Sequence, residues 1–144
     1  MHAFPHRYTV NALAAPAGVV TVRSTELEDI QSTAPVEFDG PPGNWSPETL
    51  FVASIADCFV LSFRAISRAS KLEWIEIDCA AEGTLEKTAD GLAFTGIDMQ
   101  VVLRIPAGGD TARAERLLEK AEKSCLVSNS IKPAVHLSAR VSAG

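Results

Sequence analysis

Apolar and polar residues alternate along two long stretches of this 144-residue chain. In "WIEIDCAAEG" (74–83), Ile75, Ile77 and Cys79 alternate with Glu76 and Asp78. In "GIDMQVVLRIP" (96–106), Ile97, Met99, Val101, Leu103 and Ile105 fall on one side. A period of two predicts strands with one buried face. The "ADG" between them suits a hairpin turn. Nearer the start, "RYTVNAL" and "GVVTVRS" predict two shorter strands around "AAPAG", whose Pro16 and Gly18 favour a turn. A third short strand is expected near "APVEF" (34–38), then a loop through "DGPPGNW". "AVHLSARV" predicts a closing strand.

Two segments change to the helical period. "SPETLFVASIADCF" opens with Ser46 as a cap, Pro47 in the first helical position and Glu48 at the positive end of the helix dipole. The helix is expected to run to about Lys71, roughly 36 Å. Leu50, Phe51, Val52, Ile55, Phe59, Val60, Leu61, Phe63 and Ile66 surround more than one of its faces. A helix apolar nearly all round must be covered on several sides, which predicts a second chain against it. A second helix is expected over about 110–125, capped by Asp110 or Thr111. Ala114, Leu117, Leu118, Ala121 and Cys125 form its single apolar stripe. Strands and helices in separate runs predict an α+β architecture, and the length suits one domain.

Composition narrows the function classes. With 47% hydrophobic and 22% charged residues the chain reads as an ordinary globular protein. A formal net charge of −5 argues against binding nucleic acid or an anionic membrane surface. The start lacks the basic flank and apolar run of a signal peptide. Glu48, Asp57 and Arg64 interrupt the apolar helix short of the ~20 residues that span a bilayer. A cytoplasmic setting is expected.

Candidate chemistry rests on cysteine. The chain has Cys58, Cys79 and Cys125, with no C-x-x-C and three scattered histidines, His2, His6 and His136. That is neither a disulfide framework nor a zinc signature. No G-x-S-x-G, G-x-G-x-x-G or P-loop appears. Cys79 continues an apolar strand face and reads as packing. Cys58 and Cys125 each lie on the inward side of a helix, as inert core thiols or as a working pair that meets in the core. Glu48 lies about 15 Å along the axis from Cys58, so it can reach a Cys58 thiol only from a partner chain. In its own helix it reads as a dipole-complementing residue.

These residues carry a resemblance. "GNWSPETLFVASIADCF", followed later by "CLVSNS", resembles the osmotically inducible protein C / organic hydroperoxide resistance (OsmC/Ohr) family over nearly the whole chain. That family's motifs are Pro-Glu-x-Leu-(Leu/Phe) leading to Cys-(Phe/Leu), and Cys-Pro-(Val/Tyr)-Ser-Asn. The resemblance implies an OsmC-like α+β fold, with strands around a long central helix in an intertwined homodimer. It implies a thiol-dependent peroxidase acting on organic hydroperoxides, with Cys58 peroxidatic and Cys125 resolving. A dithiol such as dihydrolipoamide is the implied reductant; no metal, haem or flavin is implied. A free thiol is mostly protonated at neutral pH, so the site must favour thiolate. The family uses an arginine held by the glutamate of Pro-Glu, here Glu48.

The chain departs from the family at three points. The two family locations for the arginine are "AAPAG" and Glu37-Phe38-Asp39-Gly40 here, and Arg23 on the second strand is the candidate substitute, with Arg7 and Arg64 behind it. Asp57 precedes Cys58 where small residues are usual, but helix neighbours point about 100° apart. Leu126 replaces the proline after the second cysteine. Met99, Phe59 and Phe63 are candidates to line an apolar peroxide pocket. The alternative reading is a non-enzymatic relative that binds an apolar small molecule or senses redox state through the same cysteines.

Overall fold

The short N-terminal runs form a small sheet. The computed structural model describes residues 1–144, in two compact units, Met1–Leu50 and Phe51–Gly144. In the first, β1 (Asn11–Leu13), β2 (Val20–Arg23) and β3 (Ile30–Ser32) pair antiparallel in that order. The third strand therefore lies upstream of the "APVEF" position expected for it. There the chain forms a 3-10 turn, Val36–Phe38. Pro35 has no N–H to give a ladder. Its carbonyl instead accepts from Phe38 (2.9 Å) and Gly40 (3.0 Å), and Asp39 turns left-handed at φ 61°. A Cβ on Gly40 would fall 1.7 Å from the Ala34 carbonyl oxygen, so only glycine closes this turn.

Helix α1 spans Pro47–Ala69. Ser46 caps it as expected: its Oγ accepts the Thr49 N–H at 3.2 Å, and its own N–H donates to Thr49 Oγ1 at 2.8 Å. This is a reciprocal capping box with threonine in the glutamate's usual place. The helix stops two residues short of the expected Lys71. Lys71 is left-handed (φ 53°), and the Leu72 N–H donates to Ser67 O at 2.9 Å, a Schellman stop.

The second unit is built on one sheet. Strand β4 (Glu76–Thr88) pairs antiparallel with β5 (Gly91–Ile105), and β5 pairs parallel with β6 (Ala134–Ala143), leaving β5 central. A parallel pair needs a crossover, and α2 (Thr111–Ser124) supplies it. Asp110 caps α2 by accepting the Arg113 N–H at 2.8 Å. The alternation holds on β5, where Ile97, Met99, Val101, Leu103 and Ile105 are all buried. On β4 it holds from Ile77 to Gly83; Ile75 precedes the strand and is 48% exposed.

Core formation joins three elements. Ile55, Phe59 and Phe63 of α1 and Ala114, Leu118 and Ala121 of α2 close with the inward β5 residues into one cluster. Burying each large side chain contributes about 1.5–3 kcal/mol. Trp74 packs edge-on to Phe63 at 5.6 Å, and its indole N–H donates to Ser67 Oγ at 3.0 Å. That tryptophan is a packing residue. By length and composition α1 is apolar enough to cross a membrane, more so than its interrupting charges suggest. In this protein its Ile55–Phe59–Phe63 stripe is fully buried against protein.

Helix α1 and strand β4 pack tightly at Gly83. A Cβ there would lie 2.7 Å from Val52 Cγ2 and 2.9 Å from Phe94 Cε1. We expect Gly83→Ala to destabilise the fold by about 1–3 kcal/mol. Urea unfolding should show a lowered midpoint that Val52→Ala partly restores; no loss in the single variant would refute this packing.

Candidate active site

Cys58 lies on the edge of the buried stripe of α1, three residues after Ile55 and so on the same side of the helix. It is half-buried, whereas Phe59 is fully enclosed. Asp57 is exposed, so the helical rotation does turn the carboxylate away from the thiol's side. Cys125 is the C-cap residue of α2 and is fully buried. All three cysteines are free thiols.

The fold brings Cys58 and Cys125 together. Burial pushes the Cys125 thiol pKa up. Hydrogen bonds from the Ser128 side chain and backbone pull it down, and the Cys58 thiol, as hydrogen-bond neighbour and charge, pushes it up again. Ser128 Oγ donates to Cys125 Sγ at 3.2 Å. Cys58 is the more exposed of the two thiols, and Cys125 is fully enclosed. Phe59, Phe63 and Met99 sit inside the core cluster and pack there.

The other candidates are placed as follows. Glu48 lies in the first turn of α1, and its Oε2 is buried with no hydrogen-bond partner. Arg23, at the end of β2, pairs with Asp29 at 2.8 Å in an exposed salt bridge. Within the chain no arginine pairs with Glu48; the two ion pairs formed are Arg23–Asp29 and Arg104–Glu76. His2, His6 and His136 are all exposed. Reading the sequence passed over Ser128, although "CLVSNS" contains it. Its signal is spacing: a hydroxyl three residues after a helix-ending cysteine can turn back onto the sulfur.

Cys79 is half-buried on the inward side of β4, as its alternation predicts. Burial, then the charges of Asp78 and Cys125, push its pKa to about 11. At neutral pH roughly one such thiol in ten thousand is ionised, so it is a poor nucleophile. Limited alkylation of the folded, reduced protein at pH 7 should label Cys58 first and Cys79 at least about tenfold more slowly. Labelling of Cys79 as fast as in the unfolded chain would contradict this environment.

Comparison with known proteins gives the family of the chain. The family model for OsmC-like protein matches residues 39–140. The uncharacterised protein YmaD of Bacillus subtilis is 31% identical over 106 residues, 72% of this chain and 71% of its own. The peroxiredoxin OsmC of Escherichia coli is 28% identical over 120 residues, 83% of this chain and 82% of its own. A crystal structure of an organic hydroperoxide resistance protein OsmC from Legionella pneumophila superposes with a TM-score of 0.76 at 26% identity, over 97% of this chain and 99% of that one. The matched span contains α1, both site cysteines and the whole β4–β5–β6 sheet up to Arg140, and the chain belongs to the OsmC-like family.

Proposed function

We propose that this protein is a thiol-dependent peroxidase that reduces organic hydroperoxides. The observation that carries this reading is the pairing of a half-buried Cys58 with a fully buried Cys125 that neighbours it, both free. The Cys58 thiolate attacks the peroxide, the O–O bond breaks, and the alkoxide leaves as an alcohol after taking a proton. Cys58 becomes a sulfenic acid. The Cys125 sulfur then attacks Cys58 Sγ, the S–O bond breaks, water leaves and a disulfide forms. A dithiol, by thiol–disulfide exchange, returns both cysteines to thiols.

The chain acts as a homodimer in this reading. Leu61 on α1 stays 49% exposed, and the buried Glu48 Oε2 has no donor within its own chain. Such an acceptor costs about 1–3 kcal/mol until a donor reaches it. Arg23 is the candidate donor and the positive charge that favours the thiolate. Its exposed pairing with Asp29 is worth less than about 1 kcal/mol, so assembly can redirect it. Free thiols fit a reducing, cytoplasmic setting. The unpartnered Glu48 favours a second reading, a redox sensor or apolar-ligand binder without catalytic turnover.

Mixing the reduced protein with cumene hydroperoxide or hydrogen peroxide, and following thiol loss and peptide mass, separates these readings. The expected result is fast Cys58–Cys125 linkage with the organic peroxide and repeated turnover with a dithiol. Cys58→Ser should abolish it, and Arg23→Ala should slow it on the order of tenfold. An inert wild type, or an equally reactive Cys58→Ser, would sink the peroxidase. Stoichiometric oxidation without dithiol turnover would favour the sensor.

A further inference from the structure

The segment after α2 has a feature that a resolving role for Cys125 does not by itself require. Helix α2 ends at Ser124, Cys125 turns extended (ψ 112°), and the chain re-enters a 3-10 helix at Ser128–Ser130. This short turn is tied at several points. The Asn129 N–H donates to Cys125 O at 3.0 Å, and Asn129 Nδ2 donates to Lys123 O at 3.0 Å. Ser130 Oγ donates to Leu126 O at 2.7 Å. The turn aims the Ser128 hydroxyl at Cys125 Sγ, 3.2 Å away, and the Ser128 backbone also lowers the Cys125 pKa.

We propose that Ser128 is the group that activates Cys125 for disulfide formation, its hydroxyl at 3.2 Å stabilising the sulfur anion as that anion forms. The inference rests on the peroxidase reading and deepens its second step. In the reduced protein Cys125 is fully buried, and the titratable groups facing it are other thiols, Cys58 from α1 and Cys79 from β4. No ammonium, guanidinium or imidazole supplies its positive charge, and hydrogen bonding to the anion is what remains to favour it. While Cys58 is a thiolate, its charge opposes a second anion beside it. Conversion of Cys58 to the neutral sulfenic acid removes that opposition and leaves the Ser128 donors in place. Cys125 then ionises, its sulfur bonds to Cys58 Sγ, and the proton leaves with the hydroxyl as water. The order of events is set by charge: Cys125 is held back until Cys58 has reacted.

Two measurements test the proposal. The first needs no peroxide. In a Cys58→Ser, Cys79→Ala background, Cys125 is the remaining thiol, and absorbance at 240 nm against pH reports its ionisation. Removing a donor that favours the anion raises the midpoint, so Ser128→Ala should shift it up by about one unit. Ser128→Thr should keep the original midpoint, and Ser128→Val, which has threonine's shape without the hydroxyl, should behave as alanine. An unchanged midpoint in Ala and Val, or the same upward shift in Thr as in Val, overturns the proposal.

The second measurement uses chains that retain all three cysteines. After one equivalent of cumene hydroperoxide, the Cys58 sulfenic acid captured by dimedone should persist about tenfold longer in Ser128→Ala, with its rate of formation unchanged. Normal oxidation of Cys58 with resolution at the wild-type rate in the variant overturns the role of Ser128 alone. Absence of Cys58 oxidation in the wild type removes the peroxidase reading, and with it the resolving step.

Discussion

The packing of the Ile55–Phe59–Phe63 stripe against the inward face of β5 is the contact on which the rest of the second unit depends. It fixes the rotation of α1, and Cys58, adjacent to Phe59, takes its orientation from that rotation. The crossover through α2 buries Ala114, Leu118 and Ala121 in the same cluster, which delivers Cys125 from the helix end. A helix turned by one residue, about 100°, would carry Cys58 away from Cys125 and Asp57 toward it. The thiol pair is thus a by-product of hydrophobic register. Gly83 sharpens that register, because a side chain there would collide with Val52.

Within this frame, the electrostatics of the pair are asymmetric. Cys125 is wholly enclosed and held by Ser128, while Cys58 is half-buried. Burial disfavours an anion, hydrogen-bond donors favour it, and a neighbouring thiolate disfavours it. Of these influences, only those exerted by Cys58 change when Cys58 is oxidised. A site made from two thiols and one serine can therefore impose a sequence of steps without a moving part. Cys79 shows the contrasting case: half-buried, no donor on its sulfur, and a pKa of about 11.

Much of this was legible from periodicity. The β5 face, the α2 stripe, both helix caps and the packing role of Cys79 follow from spacing that physics makes obligatory. Strand three was misplaced because "APVEF" has strand composition but a proline in second place, and Pro35 with the Asp39–Gly40 turn overrides propensity. Parallel pairing of β6 was not legible, since partner choice depends on the crossover and not on the strand's own residues. The two cysteines required the family motif to be singled out as a pair. Spacing alone left them as candidates for the core, and Ser128 passed as a loop residue because a hydroxyl's target is visible only in three dimensions.

Glu48 is where local and global demands diverge. Locally it suits the first turn of α1, and the dipole there accounts for a carboxylate at the surface. It does not account for an oxygen withdrawn from water with nothing donating to it. Natural proteins seldom leave a buried acceptor unsatisfied. The same helix carries Leu61 exposed in its middle, so one element bears an unmet polar group and an unmet apolar face. A second protein surface against α1 that brings an arginine relieves both at once, whereas water relieves only the first. In the homodimer proposed above, the positive charge absent beside the thiols and the donor absent beside Glu48 become one requirement.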